Sequence, residues 1–399
     1  MDREPPRPAE AAHPIDPRPT VAVDLRALVP EATGIGVYTR ELLGALAARG
    51  GFSYLGLAHR EPRGAAGLAE AGVRLEHQPA PLGVLWQQIR LPRRLADRSE
   101  GHRADLLWSP LQTLPVRCPV PAVVTVHDLT VLLMPDAHRA KVRFSQVPFL
   151  ERSLMAARRV VAVSEATARD LRFHFPQAFR DPATLRGIHH GVAPRFRPAD
   201  PEERDAIRRD LGCPGGYLLY AGTLEPRKNV EGVLDAWLAL RHADPATPPL
   251  VLAGGYGWRS KPLVRKIERL RRSDEAGAAQ DLKVLGRVDD ETLARLYRAA
   301  TVFVYPSFYE GFGLPVAEAM ASGVPVVTSD RSSLPEVAGE AALQARPEDP
   351  GHVGGAIRHL LETPGLAREL AQKGLERARE FRWEKAAEEM EEVFREALG

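Results

Sequence analysis

The stretch from Ala300 to Ser322 constrains the fold more than any other. Ala300-Thr301-Val302-Phe303-Val304-Tyr305-Pro306 is apolar and β-branched, which predicts a buried strand. Val316 to Ser322 is Ala-rich and predicts a helix. Pro315 suits a first helical position, where no N–H is needed. Between them runs Ser307-Phe308-Tyr309-Glu310-Gly311-Phe312-Gly313-Leu314, whose two glycines let the backbone approach a ligand closely. A strand, a glycine loop and a helix N-terminus together make a site for an anion or a polar ligand.

The same unit recurs along the chain. Thr20 to Leu25 predicts a strand, and Gly34-Ile35-Gly36 a glycine turn feeding a helix that runs to about Ala48. Phe52 to Ala58, Val73 to Leu75, Asp105 to Trp108, Pro121 to Val126 and Val160 to Val163 read as further strands. Ala140 to Arg159 reads as a long helix. Ser164 reads as the N-cap of a helix through Phe173. Ala193 to Cys213 is rich in proline and charge and reads as a linker. The pattern then restarts. Tyr217 to Ala221 is a strand, Gly222-Thr223-Leu224-Glu225-Pro226-Arg227-Lys228-Asn229 a loop, and Val230 to Leu240 a helix. Pro249 to Ala253, Val284 to Val288 and Val324 to Ser329 follow as strands. Gly254-Gly255-Tyr256-Gly257 is a loop that suits the border of a nucleotide. Leu366 to Gly399 reads as two helices broken near Trp383. At 399 residues the chain is too long for one core, so two α/β domains are expected.

Charged groups at strand ends carry the chemistry. Arg227 and Lys228 are adjacent cations on a loop; Arg grips two phosphate oxygens and Lys acts as a point charge. Taken alone they also read as a solvated surface pair. Glu310 and Glu318 suit the hydroxyls of a sugar or ribose. Singly, Glu318 reads as a favourable charge near a helix N-terminus and Glu310 as a solvated loop charge. His127 ends a buried strand, where doubly wound sheets bind ligands, although a lone histidine there is more often structural. His189 and His190 are adjacent, but no third ligand is near in sequence and a metal site is rejected.

Glu310 to Glu318, with Gly-Phe-Gly-Leu-Pro between, resembles the Glu-(seven residues)-Glu motif of the retaining, nucleotide-sugar-dependent glycosyltransferases of family 4. Gly222 to Asn229 resembles that family's diphosphate loop. His127-Asp128 and Gly34-Ile35-Gly36 support the likeness, and His190 departs from the asparagine common before Gly191-Val192. The resemblance implies the GT-B fold: two Rossmann-like, doubly wound α/β domains facing a cleft, with a C-terminal helix crossing back to the first. It places an N-terminal arm at 1–19, an acceptor domain at 20–195, a donor domain at 196–380 and the returning helix at 381–399. It implies that Arg227 and Lys228 hold the diphosphate and Glu318 the ribose. Glu310 and the amides of Phe312, Gly313 and Leu314 would hold the donor sugar, with His127 near its anomeric carbon. Gly34, Gly36, Gly222 and Gly254 would line the donor, and the helix after Ser164 would present its N-terminus to an acceptor. The reaction implied is sugar transfer with retention from a nucleotide-diphosphate sugar, in the mannosyltransferase-like branch that often uses GDP-mannose, onto a glycan or lipid-linked acceptor of a surface polysaccharide. No metal or other cofactor is required. The alternatives are an epimerase of the same fold and a catalytically silent nucleotide-sugar-binding scaffold. A pyridoxal-dependent phosphorylase lacks a recognisable Schiff-base lysine context.

Bulk properties exclude other classes. With Lys plus Arg at 54 and Asp plus Glu at 52, the net charge of +2 implies no nucleic-acid partner. No apolar run reaches the roughly 20 residues that span a bilayer. Two cysteines provide neither a disulfide framework nor a metal cluster. Met1 to Pro19 has no apolar core of a signal peptide and reads as a disordered arm, so the expected location is the cytoplasm. Val84 to Arg98 mixes Leu85, Trp86 and Ile89 with Arg90, Arg93, Arg94 and Arg98. Such a segment suits peripheral contact with an anionic membrane, although an ordinary helix with a solvated arginine face explains it more plainly.

Overall fold

The computed structural model describes residues 17–29, 34–99, 103–134 and 140–399; most of the expected N-terminal arm lies outside these. The strands are parallel because each is followed by a helix or loop that returns the chain to the same sheet end. The first sheet holds β1 (Thr20–Asp24), β2 (Ser53–Ala58), β3 (Arg74–His77), β4 (Leu106–Ser109), β5 (Ala122–Val126), β6 (Arg159–Ala162) and β7 (Leu185–Gly187), in the order β3-β2-β1-β4-β5-β6-β7. The second holds β8 (Leu218–Ala221), β9 (Leu250–Ala253), β10 (Leu282–Gly286), β11 (Val302–Tyr305), β12 (Val326–Ser329) and β13 (Ala342–Ala345), in the order β10-β9-β8-β11-β12-β13.

In the second sheet the order reverses between β8 and β11, which makes their carboxyl ends a switch point where such sheets bind ligands. The register pairs Val302 with Leu218 and Phe303 with Leu219, so the two strands end level. Both are buried along their whole length, as expected for strands covered on both faces. The loops that follow them therefore leave the sheet side by side.

The chain forms two compact units. One contains the residues up to Thr125 with Arg152–Val160 and Met390–Gly399. The other contains Val126–Glu151 and Val161–Glu389. In the first unit, Phe394 of the C-terminal helix Trp383–Leu398 packs edge-on against Phe52 at 5.7 Å between centroids and lies tilted against Trp108 at 6.0 Å.

Three expectations need correction. Gly34 and Gly36 do not form a turn before a helix; they occupy the first turn of the helix Gly34–Arg49. The Thr39 hydroxyl donates to the Ile35 carbonyl one turn back, at 2.8 Å. The apolar face of Tyr38, Leu42, Leu43 and Leu46 outweighs the roughly 1 kcal/mol that each glycine costs in a helix. The expected linker contains the helix Pro201–Asp210, capped by Asp200, which accepts from the Glu203 N–H. Proline opens it, Glu202 and Glu203 lie in its first turn and Arg208 and Arg209 in its last, an arrangement that complements the helix dipole. The helix from Ala140 ends at Ala156, because Arg159 already belongs to β6.

Truncating Phe394 leaves a cavity between two aromatic rings. Phe394→Ala is expected to cost about 3 to 5 kcal/mol, read as a lowered midpoint of urea unfolding. A wild-type midpoint would show that the C-terminal helix is not part of the core.

Candidate active site

The site is built on the loops after β8 and β11. Asn229 adopts a left-handed conformation with φ 55° and caps the helix Val230–Ala243. Its side-chain amide donates to the Pro306 carbonyl at 3.2 Å and to the Pro347 carbonyl at 2.6 Å. The Phe308 N–H donates to the Arg227 carbonyl at 2.9 Å, and the Ser307 hydroxyl donates to the same oxygen at 3.1 Å. These bonds tie one loop to the other and carry the cations of the first onto the carboxylate of the second.

Arg227 donates to Glu310 Oε2 at 2.9 Å, and Lys228 donates to Glu310 Oε1 at 2.9 Å. The Tyr305 and Ser307 hydroxyls each donate to Oε1 at 2.9 Å, and Lys228 also contacts the Tyr305 hydroxyl. Glu225 accepts from Arg227 Nε at 3.0 Å. Glu310 is 8% exposed. Burial alone would push its carboxyl up, but Arg227 and then Lys228 outweigh it and hold the group down to about 2. The cluster is therefore a fixed carboxylate with two cations directed at it.

The backbone around Glu310 is held as firmly. The Glu310 N–H donates to the Ser332 hydroxyl at 2.8 Å. The Ser333 hydroxyl contacts the carbonyls of Glu310 at 2.9 Å and Phe312 at 2.7 Å. The helix Leu314–Ala321 starts from Gly313, at φ 106°, with no side-chain cap. The N–H groups of Phe312, Gly313 and Leu314 have no acceptor among the described residues, which leaves three consecutive donors at a helix start. Glycine suits position 313 because a side chain at φ 106° would be strained.

Gly311 is gripped from two sides. The Ser164 and Thr167 hydroxyls donate to its carbonyl at 2.6 and 3.1 Å. A Cβ at Gly311 would fall 1.6 Å from the His127 carbonyl oxygen. The His127 ring lies 5.9 Å from that of His190, which lies 4.8 Å from Phe312. Burial, then His127 and His189, hold His190 well below the ordinary histidine range, so it is a neutral aromatic shelf for Phe312.

Gly222 and Gly254 also meet. A Cβ at Gly254 would lie 1.9 Å from the Gly222 carbonyl oxygen, and one at Gly222 would lie 3.6 Å from Lys228. Glu318 stands one turn into the helix Leu314–Ala321 and is 8% exposed. Burial pushes its carboxyl up to about 8, so it is protonated at neutral pH. Its expected position in the first turn shifts to the start of the second, because the helix begins at Leu314. Gly34 and Gly36 belong to the other unit, and their assignment to the donor rests on the family pattern.

At the helix whose N-terminus is expected to face an acceptor, two of the first N–H groups are taken by a carboxylate. The Glu165 and Ala166 N–H groups of the helix Glu165–His174 donate to Glu336 at 2.8 and 2.9 Å, and His189 Nε2 lies 2.6 Å from the same carboxylate. Burial opposes ionisation of Glu336, but His189 and these N–H groups hold it below the ordinary carboxylate range. Tyr305, Ser307, Ser332, Ser333 and Glu336 were not singled out by sequence reasoning. The two that flank the Glu310 loop most closely, Tyr305 and Ser307, are within five residues of it, a signal that was available.

The family model described as "Glycosyl transferases group 1" matches residues 203–377, and that described as "Glycosyltransferase Family 4" matches 32–196. The chain is 36% identical over 307 residues to an O-antigen chain mannosyltransferase B of Escherichia coli, covering 76% of this chain and 77% of the relative. It is 32% identical over 254 residues to a D-inositol 3-phosphate glycosyltransferase of Streptomyces bingchenggensis, covering 62% of this chain and 55% of that one. The solved structure of Anabaena HepE in complex with UDP and glucose superposes with a TM-score of 0.74 at 18% identity, covering 94% of this chain and 99% of that one. The likeness in structure shows the GT-B fold.

Two outcomes follow from the site. Gly311→Ala has no room beside the His127 carbonyl and is expected to lower the melting temperature and abolish activity together; unchanged melting would refute the close approach. Glu318 keeps its proton in the folded chain up to about 8, whereas the unfolded chain releases it near the ordinary 4.5. Between those values rising pH favours the unfolded state, by at most about 1.4 kcal/mol per pH unit. The wild type is therefore expected to lose melting temperature relative to Glu318→Gln across that window. A constant difference would show an ordinary carboxyl.

Proposed function

Because the chain belongs to the family 4 glycosyltransferases, in their mannosyltransferase-like branch, we propose that it moves mannose from GDP-mannose to a glycan or lipid-linked acceptor of a surface polysaccharide, with retention of anomeric configuration. The observation that carries the reading is the pair Arg227 and Lys228, directed at one carboxylate beside three unpartnered amides at a helix start.

Arg227 and Lys228 take the donor diphosphate, whose negative charge rises as the bond from the anomeric carbon to phosphate oxygen breaks. Stabilising the charge that develops in the transition state contributes more to the rate than any other effect in many such reactions. Glu310 keeps both cations oriented and, with the amides of Phe312, Gly313 and Leu314, holds hydroxyls of the donor sugar. Glu318 receives the ribose hydroxyls. Gly222 and Gly254 keep the floor of the diphosphate site free of side chains. His127 hydrogen-bonds near the anomeric carbon. The acceptor oxygen bonds to that carbon on the face the diphosphate leaves, and its proton passes to the departing diphosphate oxygen. No further base is needed. The name of the Escherichia coli relative, an O-antigen chain mannosyltransferase, supports mannose and a surface glycan.

Glu310 retains Arg227, Tyr305 and Ser307 when Lys228 is removed, so Lys228→Ala is expected to remain folded. Loss of one charge-stabilising donor is expected to lower turnover about 10²- to 10³-fold. Assay of the purified variant with GDP-mannose, with UDP-, ADP- and dTDP-sugars in parallel, tests this. Wild-type turnover in Lys228→Ala, or no turnover of any donor by the wild type, would overturn the reading.

A further inference from the structure

The first sheet carries a cavity that the donor chemistry does not use. The order β3-β2-β1-β4 puts a switch point between β1 and β4, and the carboxyl ends at such a point bind ligands. β2 and β3 end one and two strands further out. A cavity of about 390 Å³ opens there, lined by His59, Arg60, Glu61, His77, Pro79 and Pro81. His59 and Arg60 directly follow β2, and His77 closes β3 in register with Ala58.

The walls are held in place. The Gln78 N–H donates to the Ala58 carbonyl at 2.9 Å, and the Ala80 N–H to the His59 carbonyl at 3.4 Å. Arg60 donates to the Pro81 carbonyl at 3.4 Å. Proline has a fixed φ, so Pro79 and Pro81 offer a rigid apolar surface. Gly83 leaves room for the His59 ring, since a Cβ there would press on it at 3.2 Å. The Trp86 ring lies tilted against His59 at 6.2 Å between centroids. Asp24, wholly buried at the end of β1, fixes Arg26 with bonds at 2.9 and 2.6 Å.

The chemistry of the lining selects the ligand. Burial, then Arg60 and Arg26, hold His59 below the ordinary histidine range, so its imidazole is neutral at neutral pH. Arg60 and Glu61 are exposed, and neither forms an ion pair among the described residues. A bare anion would meet the Glu61 carboxylate beside a neutral imidazole. A sugar ring satisfies every wall. Its C–H face lies on the proline and imidazole rings, and its hydroxyls donate to Glu61 and accept from Arg60, as charge-assisted hydrogen bonds. An apolar surface with a few placed polar groups, within roughly 300–1,000 Å³, is the usual form of a small-molecule site.

The place of the cavity fixes its role. Neighbouring strands lie roughly 4.8 Å apart, so the cavity is about 5 to 10 Å along the sheet from the switch point. The hydroxyl that receives the new sugar belongs at the switch point, and the cavity takes a further unit of the same chain. We propose that the cavity at His59, Arg60, Glu61 and His77 is a subsite for a saccharide unit of a glycan acceptor, next to the unit that receives the transferred sugar. The proposal rests on the transferase reading and narrows its acceptor to a glycan of more than one unit.

Saturation-transfer NMR titration of the full chain with methyl α-mannoside and with α-linked mannobiose and mannotriose tests it, with GDP titrated in parallel. Affinity is expected to rise about tenfold from the monosaccharide to the trisaccharide. Arg60→Ala with Glu61→Ala is expected to weaken binding of the trisaccharide about tenfold. The same variant is expected to keep the wild-type affinity for the monosaccharide and for GDP, and the wild-type melting temperature. Equal affinity for the monosaccharide and the trisaccharide, or a double variant that binds the trisaccharide as the wild type does, would overturn the proposal. So would binding of inorganic phosphate that the double variant loses, in a chain that binds no saccharide. GDP reports on the donor site alone, so failure of the subsite is distinguishable from failure of the transferase reading.

Discussion

The structure of the site depends on one buried arrangement, two cations sharing one carboxylate at the switch point of the second sheet. Removing charges from water is costly, and a buried ion pair is tolerated only where geometry and further hydrogen bonds compensate. Glu310 meets that condition with Arg227, Lys228, Tyr305 and Ser307. Arg227 meets it with Glu225 and the Tyr309 carbonyl, which accepts at 2.6 Å. Little of the side-chain geometry is free to rearrange, so an incoming diphosphate meets cations already in position. Fixed charges of this kind stabilise a transition state without reorganising at the moment of reaction.

The cluster in turn depends on the backbones coming close. β8 and β11 end level, so their loops run together, and glycine is needed at two close approaches of backbone to backbone. Gly254 rests on the Gly222 carbonyl and Gly311 on the His127 carbonyl. Asn229 acts in the same way at a distance, since its amide joins the loop after β8 to Pro306 and Pro347.

Much of this was legible in the amino-acid order because its signals are local. The apolar run before Ser307, Pro315 at a helix start and the Arg227-Lys228 pair each lie within one strand-loop-helix unit. What escaped is long-range. Glu336 meets Glu165 across 171 residues and His189 across 147, and no spacing rule joins such positions. Ser332 and Ser333 read as an ordinary loop, although their hydroxyls fix the Glu310 backbone. The helix Pro201–Asp210 was a different kind of miss. Its cap, its proline and its charge order were all visible, but a count of prolines and charges across the whole segment hid them.

The central claim is that Arg227 and Lys228 form a diphosphate site. Calorimetric titration of GDP and GMP against the wild type and Lys228→Ala tests it most directly, because the two ligands differ by one phosphate. The account predicts that the wild type prefers GDP and that Lys228→Ala loses most of this preference while its affinity for GMP changes little. Equal loss for both ligands, or a preference for GDP that survives the substitution, would contradict it.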